Sequence, residues 1–170
     1  MDQVSVWKEL LKDKGFKNWK KEHSDSFLSH FFCPIHPNGE AVSSWEIGFI
    51  LPANERIVIF VKESGSFIVK MEDDIFKEPD SQLEKLNLKK VKVGYSEAFN
   101  LLKGELPKLF PKEAFNDGFV ILQSLNDKTL WNFSFVTQGL KFINVKIDAL
   151  TGKINDSQLV NVIENQAKGA

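Results

Sequence analysis

The feature that most constrains the fold is a series of short apolar stretches separated by brief polar turns. Residues 26–35, 44–51, 56–62 and 66–71 are rich in aromatic and β-branched residues, and Pro, Asn, Ser and Gly cluster between them. Such short connections can join antiparallel strands, whereas parallel strands need a crossover of about a dozen residues or more. The pattern therefore predicts consecutive antiparallel hairpins rather than a parallel βαβ arrangement.

The second half of the sequence continues in the same way. Strands are predicted at 119–125, 130–137 and 140–147, and a further strand begins near Ile154. Each series of strands is preceded by a stretch whose apolar residues have helical spacing. The fold class predicted from this order is α+β.

Two amphipathic stretches, at 4–19 and 97–110, are the predicted helices at the start of each half. Asp2 or Ser5 is a candidate N-cap of the first helix, and Ser96 of the second. Gly15 is expected to end or bend the first helix. Two shorter helices are predicted at 82–88, after a capping box, and at 158–166. Pro107 is expected to mark the end of the helix at 97–110.

The two halves also resemble each other. A serine, four residues and Leu-Leu-Lys begin at Ser5 and again at Ser96, and Trp45 aligns with Trp131. We therefore predict two tandem repeats, each a helix followed by an antiparallel sheet. The predicted units are a first α+β repeat at 1–78, a linker with a short helix at 79–93 and a second repeat at 94–170. One continuous sheet and two separate sheets are both compatible with this order.

The composition argues against several classes of protein. The formal net charge is −1, from 22 basic and 23 acidic residues, and Arg56 is the only arginine. Neither a global positive field nor arginine clamps are available, so nucleic acid is not an expected partner. The apolar runs are far shorter than the roughly 20 residues of a membrane-spanning helix, and no signal peptide is visible. With Cys33 as the single cysteine, these features predict a cytoplasmic protein.

The most distinctive motif lies at the end of the second half. The sequence reads Trp131-Asn-Phe-Ser-Phe and then Val-Lys-Ile-Asp148-Ala-Leu-Thr151-Gly152-Lys-Ile, after a helix entry Tyr95-Ser-Glu-Ala-Phe. Residues 93–154 thereby resemble the PepSY domain, and the first half resembles a degenerate copy.

The PepSY resemblance implies a cystatin-like sheet wrapped on a helix and a role in binding or restraining peptidases. From the residues alone, Asp148, Thr151 and Gly152 form a structural turn. Asp148 can accept main-chain N–H groups, and Gly152 can take a left-handed conformation.

His30, Cys33 and His36 follow one another at intervals of three residues, and all three are metal-ligand types. A fourth ligand could come from His23 or Asp25. On a strand, however, His30 and Cys33 point to opposite faces. The competing interpretation, a half-buried cysteine between surface histidines, predicts no metal and no cofactor.

Trp19, Trp45 and Trp131 are candidates for lining a binding groove. Trp45 and Trp131 occupy apolar strand positions, where burial in the core is the competing interpretation. Trp19 stands among lysines and an asparagine and predicts an exposed interface anchor. The basic run at 89–92 is interpreted either as a lysine-decorated strand edge that discourages aggregation or as a contact for an acidic partner.

These features predict a non-enzymatic regulatory module that binds a protein or peptide, with a peptidase as the candidate partner. We find no Gly-rich phosphate loop, nucleophile elbow or zinc-protease motif in the sequence. The alternative is a small-molecule-binding protein or an enzyme with a pocket on the concave face of the sheet. Its polar candidates are His30, Cys33, Glu46 and Asp148.

Overall fold

The computed structural model of the protein describes residues 2–74 and 84–161. Within these ranges the helices are α1 (Gln3–Leu10), α2 (Lys14–Glu22) and α3 (Tyr95–Leu109). The strands are β1 (Phe27–Ile35), β2 (Glu46–Leu51), β3 (Arg56–Glu63), β4 (Ser66–Asp74), β5 (Phe115–Leu125), β6 (Lys128–Thr137), β7 (Lys141–Asp148) and β8 (Ile154–Asn161). The predicted α+β class is confirmed.

All eight described strands belong to one antiparallel sheet, in the order β4-β3-β2-β1-β5-β6-β7-β8. Each half contributes a four-stranded meander, and the two meanders meet at their first strands. In this central pair Phe31 lies opposite Leu122 and Cys33 lies opposite Val120. Of the two arrangements compatible with the sequence, the described residues adopt the single continuous sheet.

The helices pack on one face of this sheet. Phe31 of β1 points to that face and is fully buried. The Phe16 ring of α2 lies 5.2 Å from the Phe49 ring of β2, and the Phe99 ring of α3 lies 6.1 Å from the Phe133 ring of β6. Fully burying a side chain of this size stabilises the fold by about 1.5–3 kcal/mol. Both halves therefore share one aromatic core.

The helix predicted at 4–19 is divided in two. Asp2 caps α1 by accepting a hydrogen bond from the Ser5 N–H at 2.8 Å, so the first of the two candidate caps is the one used. Asp13 then accepts a hydrogen bond from the Phe16 N–H at 2.8 Å, and its extended backbone starts α2. An aspartate in this position begins a helix rather than continuing one.

The helix α3 departs from the prediction at both ends. Gly94 occupies the N-cap position and α3 has no side-chain cap, so the assignment of Ser96 was wrong. Pro107 lies inside the last turn of α3. A proline is tolerated at this position because it removes only one hydrogen bond before the helix ends at Leu109. At 15 residues, α3 is the longest described helix, and none of the described helices is long and apolar enough to cross a membrane.

The described part of the connection between the two halves, residues 84–94, is held by main-chain hydrogen bonds to each half. The Leu86 N–H donates to the Leu28 oxygen of β1 at 2.9 Å. Near its end, the Val93 N–H donates to the Ala149 oxygen, also at 2.9 Å. The segment between them crosses beside the shared core, where Leu86 and Val93 are buried.

The two shorter predicted helices fall partly outside the described residues. Of the helix predicted at 82–88, residues 84–87 are not helical and precede a 3-10 turn at Leu88–Lys90. Of the helix predicted at 158–166, residues 158–161 belong instead to β8, so the prediction was wrong for that part. The free edge of β7 pairs with them and overrides their weak helical preference.

Candidate functional site

The three tryptophans proposed as groove residues belong to the shared core or its rim. Trp131 is fully buried and Trp45 is 3% exposed. Trp19 is half-buried rather than exposed, because its ring stacks on His23 and meets Phe60 edge-on at 4.9 Å. Trp45 also lines two cavities beside residues 41–44, of about 480 and 390 Å³.

Trp131 has a defined polar role within that core. Its indole Nε1 donates a hydrogen bond to the Val93 oxygen at 2.9 Å. A buried indole N–H needs such a partner, because leaving it unpaired would carry a desolvation cost. Trp131 therefore holds the end of the inter-half connection against β6.

The histidine and cysteine candidates are separated by the sheet. Cys33 is buried on the helix-covered face, whereas His30 lies on the opposite face against Gly48. His36 follows the end of β1, and its Nδ1 lies 2.9 Å from the Asp117 carboxylate. Among the described residues no three His, Cys, Asp or Glu side chains come close enough to hold a metal ion.

Burial keeps the His30 imidazole and the Cys33 thiol uncharged near neutral pH. It lowers the pKa of the His30 imidazole to about 4, although the Glu46 carboxylate opposes the shift. It also raises the pKa of the Cys33 thiol to about 11, and the same carboxylate adds to that shift. A thiol without an electropositive, exposed setting is a poor nucleophile.

The polar candidates for a pocket on the sheet face do not converge. Cys33 faces away from the other three. His30 and Asp148 belong to the same row of the sheet but stand on β1 and β7, which are three strand spacings or about 14 Å apart. Glu46 forms an ion pair with Lys70.

Hydrogen bonds within the turn at the end of β7 fix its shape. The Asp148 carboxylate accepts hydrogen bonds from the N–H groups of Leu150 and Thr151, at 2.8 and 3.0 Å. Thr151 in turn accepts one from the Lys153 N–H, and Gly152 has a φ of +75°. These side chains are engaged in shaping the β7–β8 hairpin.

A cleft that none of the site residues predicted from the sequence indicated lies between α1 and the inter-half connection. Its inner cavity, of about 300 Å³, is lined by apolar groups that include Trp7, Phe31, Leu88 and Val91. Its outer cavity, of about 880 Å³, opens to solvent beside the start of β1. Both cavities are lined by Trp7, Leu88 and Lys89, and we call the two together the linker cleft.

Two polar side chains of the described residues, Gln3 and Lys89, line the inner cavity of the linker cleft. Gln3, the first residue of α1, is 2% exposed, and its amide oxygen has no hydrogen-bond partner among residues 2–74 and 84–161. Leaving a buried polar group unpaired costs about 1–3 kcal/mol. An acceptor of this kind in an apolar cavity is suited to a ligand that donates a hydrogen bond.

Sequence reasoning missed Gln3, although a signal was present. Gln3, Val6 and Leu10 follow one another at i, i+3 and i+7, so the glutamine occupies the buried stripe of α1. The basic run at 89–92 had been interpreted as a strand edge or an acidic contact. Its first two residues lie in the 3-10 turn and line the outer cavity of the linker cleft.

Comparison with known proteins supports the fold and no more. No family model matches the chain, and no curated protein sequence matches it. A solved structure of a "putative lipoprotein" from Clostridium difficile 630 is similar, with a TM-score of 0.50 and 10% sequence identity. The similarity covers 85% of this chain and 90% of that chain. At this identity the likeness describes the shared α+β architecture.

Proposed function

We propose that the protein is a non-catalytic module that binds an extended segment of another protein in the linker cleft. The observation that carries the proposal is the unpaired amide oxygen of Gln3, which is buried at the wall of an apolar cavity. A buried acceptor without a partner lowers the stability of the free protein, so its presence is explained if a ligand supplies the missing donor. A main-chain N–H of a bound segment is a donor of that kind.

The shape of the linker cleft favours a segment over a small molecule. Small-molecule sites commonly enclose most of the ligand surface. Here the inner cavity, of about 300 Å³, is itself partly open and suits one apolar side chain. The larger outer cavity is open, so chain on either side of that side chain can continue into solvent.

A more specific version of the proposal concerns the origin of the two halves and the class of protein that they bind. The two halves would be copies of one PepSY-like unit, and the partner would then be a peptidase. Supporting this are the matched motifs of the two halves and the strand order, in which each meander runs outward from the central β1–β5 pair.

The proposal is tested by selecting binders from a random 12-residue peptide library on the full chain. Selected peptides are then titrated against wild type, Leu88→Glu and the control Leu101→Glu, which changes an exposed leucine of α3. We expect Leu88→Glu to weaken binding at least tenfold and Leu101→Glu to leave it unchanged. Equal binding to all three proteins would place the peptides elsewhere and overturn the proposal.

Hydrogen exchange gives a second, independent measure of the same proposal. A bound peptide should slow exchange of the amides in residues 84–91, which form one wall of the linker cleft. Protection confined to β4 or β8, the outermost described strands, would indicate strand addition at a sheet edge instead. That result would also contradict the proposal.

A further inference from the structure

The outer cavity of the linker cleft has an uneven charge. Among the described residues, four lysines and two acidic residues line it. The lysines are Lys20, Lys85, Lys89 and Lys90, and the acidic residues are Glu84 and Asp127. The cavity therefore has a local excess of positive charge in a protein whose formal net charge is −1.

Part of this charge is already committed within the protein. The Lys20 ammonium contacts the Ser26 oxygen at 2.7 Å and the Ser24 oxygen at 3.1 Å, and burial lowers the pKa of this lysine. The Lys90 ammonium donates to the Asp127 oxygen at 3.2 Å. The Glu84 carboxylate accepts the Asp127 N–H at 3.1 Å. These contacts shape the rim and hold the Glu84 carboxylate close to the backbone of Asp127.

Two lysines remain for a ligand. The side chains of Lys85 and Lys89 are exposed, and neither has a hydrogen bond or an ion pair with any of the described residues. Lys89 lines both cavities of the linker cleft, so its charge stands where the inner cavity meets the outer one. Lys85 lines the outer cavity, which shares Trp7, Leu88 and Lys89 with the inner one.

We infer that the segment recognised by this protein is acidic and carries one apolar anchor residue. The anchor side chain fills the inner cavity between Trp7, Phe31 and Leu88, and a main-chain N–H beside it donates to Gln3. Carboxylates flanking the anchor lie against Lys85 and Lys89. This inference rests on the proposed function and adds the chemistry of the ligand to it.

Three synthetic 12-residue peptides test the inference by fluorescence anisotropy. The first has one central leucine flanked by glutamate and aspartate, the second has lysines in place of the acids, and the third has asparagine in place of the leucine. We expect the acidic leucine peptide to bind at least tenfold more tightly than either of the others. Its affinity should also fall as salt rises from 50 to 300 mM, because exposed charges are screened.

Replacing the positive charges of Lys85 and Lys89 by negative ones should reverse the preference for the acidic peptide over the basic one. In the double variant Lys85→Glu, Lys89→Glu, the basic peptide is expected to bind more tightly than the acidic one. The control is Lys103→Glu, Lys112→Glu, which changes two exposed lysines that do not line the linker cleft. Thermal unfolding of each variant shows whether it is folded. The salt series on the wild-type protein tests the same inference without any substitution.

The outcomes separate the inference from the proposed function. Leucine peptides that bind through Leu88 with equal affinity whatever their charge would overturn the inference and leave the proposed function standing. If no peptide binds, including those from the random library, both are overturned.

Discussion

The imidazole ring of His30 occupies the space that a side chain at position 48 would need. A Cβ added to Gly48 would lie 2.2 Å from His30 Cε1 and 2.5 Å from Nδ1. The two residues are directly opposite each other in the β1–β2 pair. A glycine inside a central strand weakens it in general, and here it admits a ring.

Gly48→Ala is therefore expected to destabilise the protein, because the half-buried His30 ring must move away from its place. We expect a loss of about 1–3 kcal/mol in the free energy of unfolding, measured by urea denaturation. His30→Ala should remove most of that effect when the two changes are combined. Gly104→Ala is the control, since a Cβ there meets no atom within 4 Å and alanine favours the helix. Equal effects of Gly48→Ala with and without His30 would contradict this account.

The stability of the protein should depend on pH through His30. The folded state holds its pKa near 4, whereas an unfolded histidine titrates near 6.5, so the unfolded chain takes up the proton first as pH falls. The free energy of unfolding should be constant above about pH 6.5 and decrease between pH 6.5 and 4, by up to about 3 kcal/mol. The Glu46 carboxylate, which lies on the same face and pairs with Lys70, limits the decrease.

Urea unfolding of wild type and His30→Gln at pH 7.5, 6.5, 5.5 and 5.0 measures this dependence. The decrease between pH 6.5 and 5.0 should be smaller in His30→Gln. His36→Gln is the control, because the His36 side chain is 46% exposed beside Asp117. A wild-type profile that stays flat down to pH 5.0 would mean that His30 is protonated in the folded state at no cost.

Gln3→Met is expected to stabilise the free protein while weakening its binding. The methionine keeps the shape of the side chain and removes the buried amide oxygen that has no partner. A gain of about 1 kcal/mol is expected in thermal or urea unfolding. The same variant should bind the selected peptides several-fold less tightly than wild type. Gln138→Met, at an exposed turn, should change neither quantity. A loss of stability in Gln3→Met would show that the amide is satisfied in solution.

Trp131→Phe tests how the inter-half connection is held. The change leaves the Val93 oxygen without its donor and opens space in the core, so a loss of about 2–4 kcal/mol is expected. Hydrogen exchange at Lys92 and Val93 should accelerate more than exchange in α2. Trp19→Phe, at the half-buried rim, is expected to cost less and to leave the connection protected. Unchanged exchange at Val93 would argue against this role for the indole.

Much of the architecture could be predicted from local signals. The alternating residues of β2 and the turn at Gly65 are short-range patterns, and the antiparallel class follows from turns too short for a crossover. The break in the first helix was expected at Gly15 but lies at Asp13, and Gly15 belongs to α2. An aspartate within an amphipathic stretch resembles any other polar residue until its cap is formed. The strand at 158–161 was missed for a related reason, since only the edge of β7 makes it a strand.

The candidate site could be predicted far less well. Gln3 was visible on the buried stripe of α1, and the lysines of the 3-10 turn were visible as a basic run. Nothing local connected them, because they are more than 80 residues apart in the sequence. By contrast, the two-residue period of a strand did predict that His30 and Cys33 point to opposite faces, as they do in β1.

The sequence by itself determined that the chain forms helices followed by antiparallel meanders, because periodicity and turn chemistry act over a few residues. It also determined which side chains of each element are apolar enough to be buried. The tertiary structure alone decided that β1 pairs with β5, so that both halves share one core. It likewise placed an unpaired amide and two lysines around one cleft. Such contacts depend on the packing of distant segments, which local preferences do not specify.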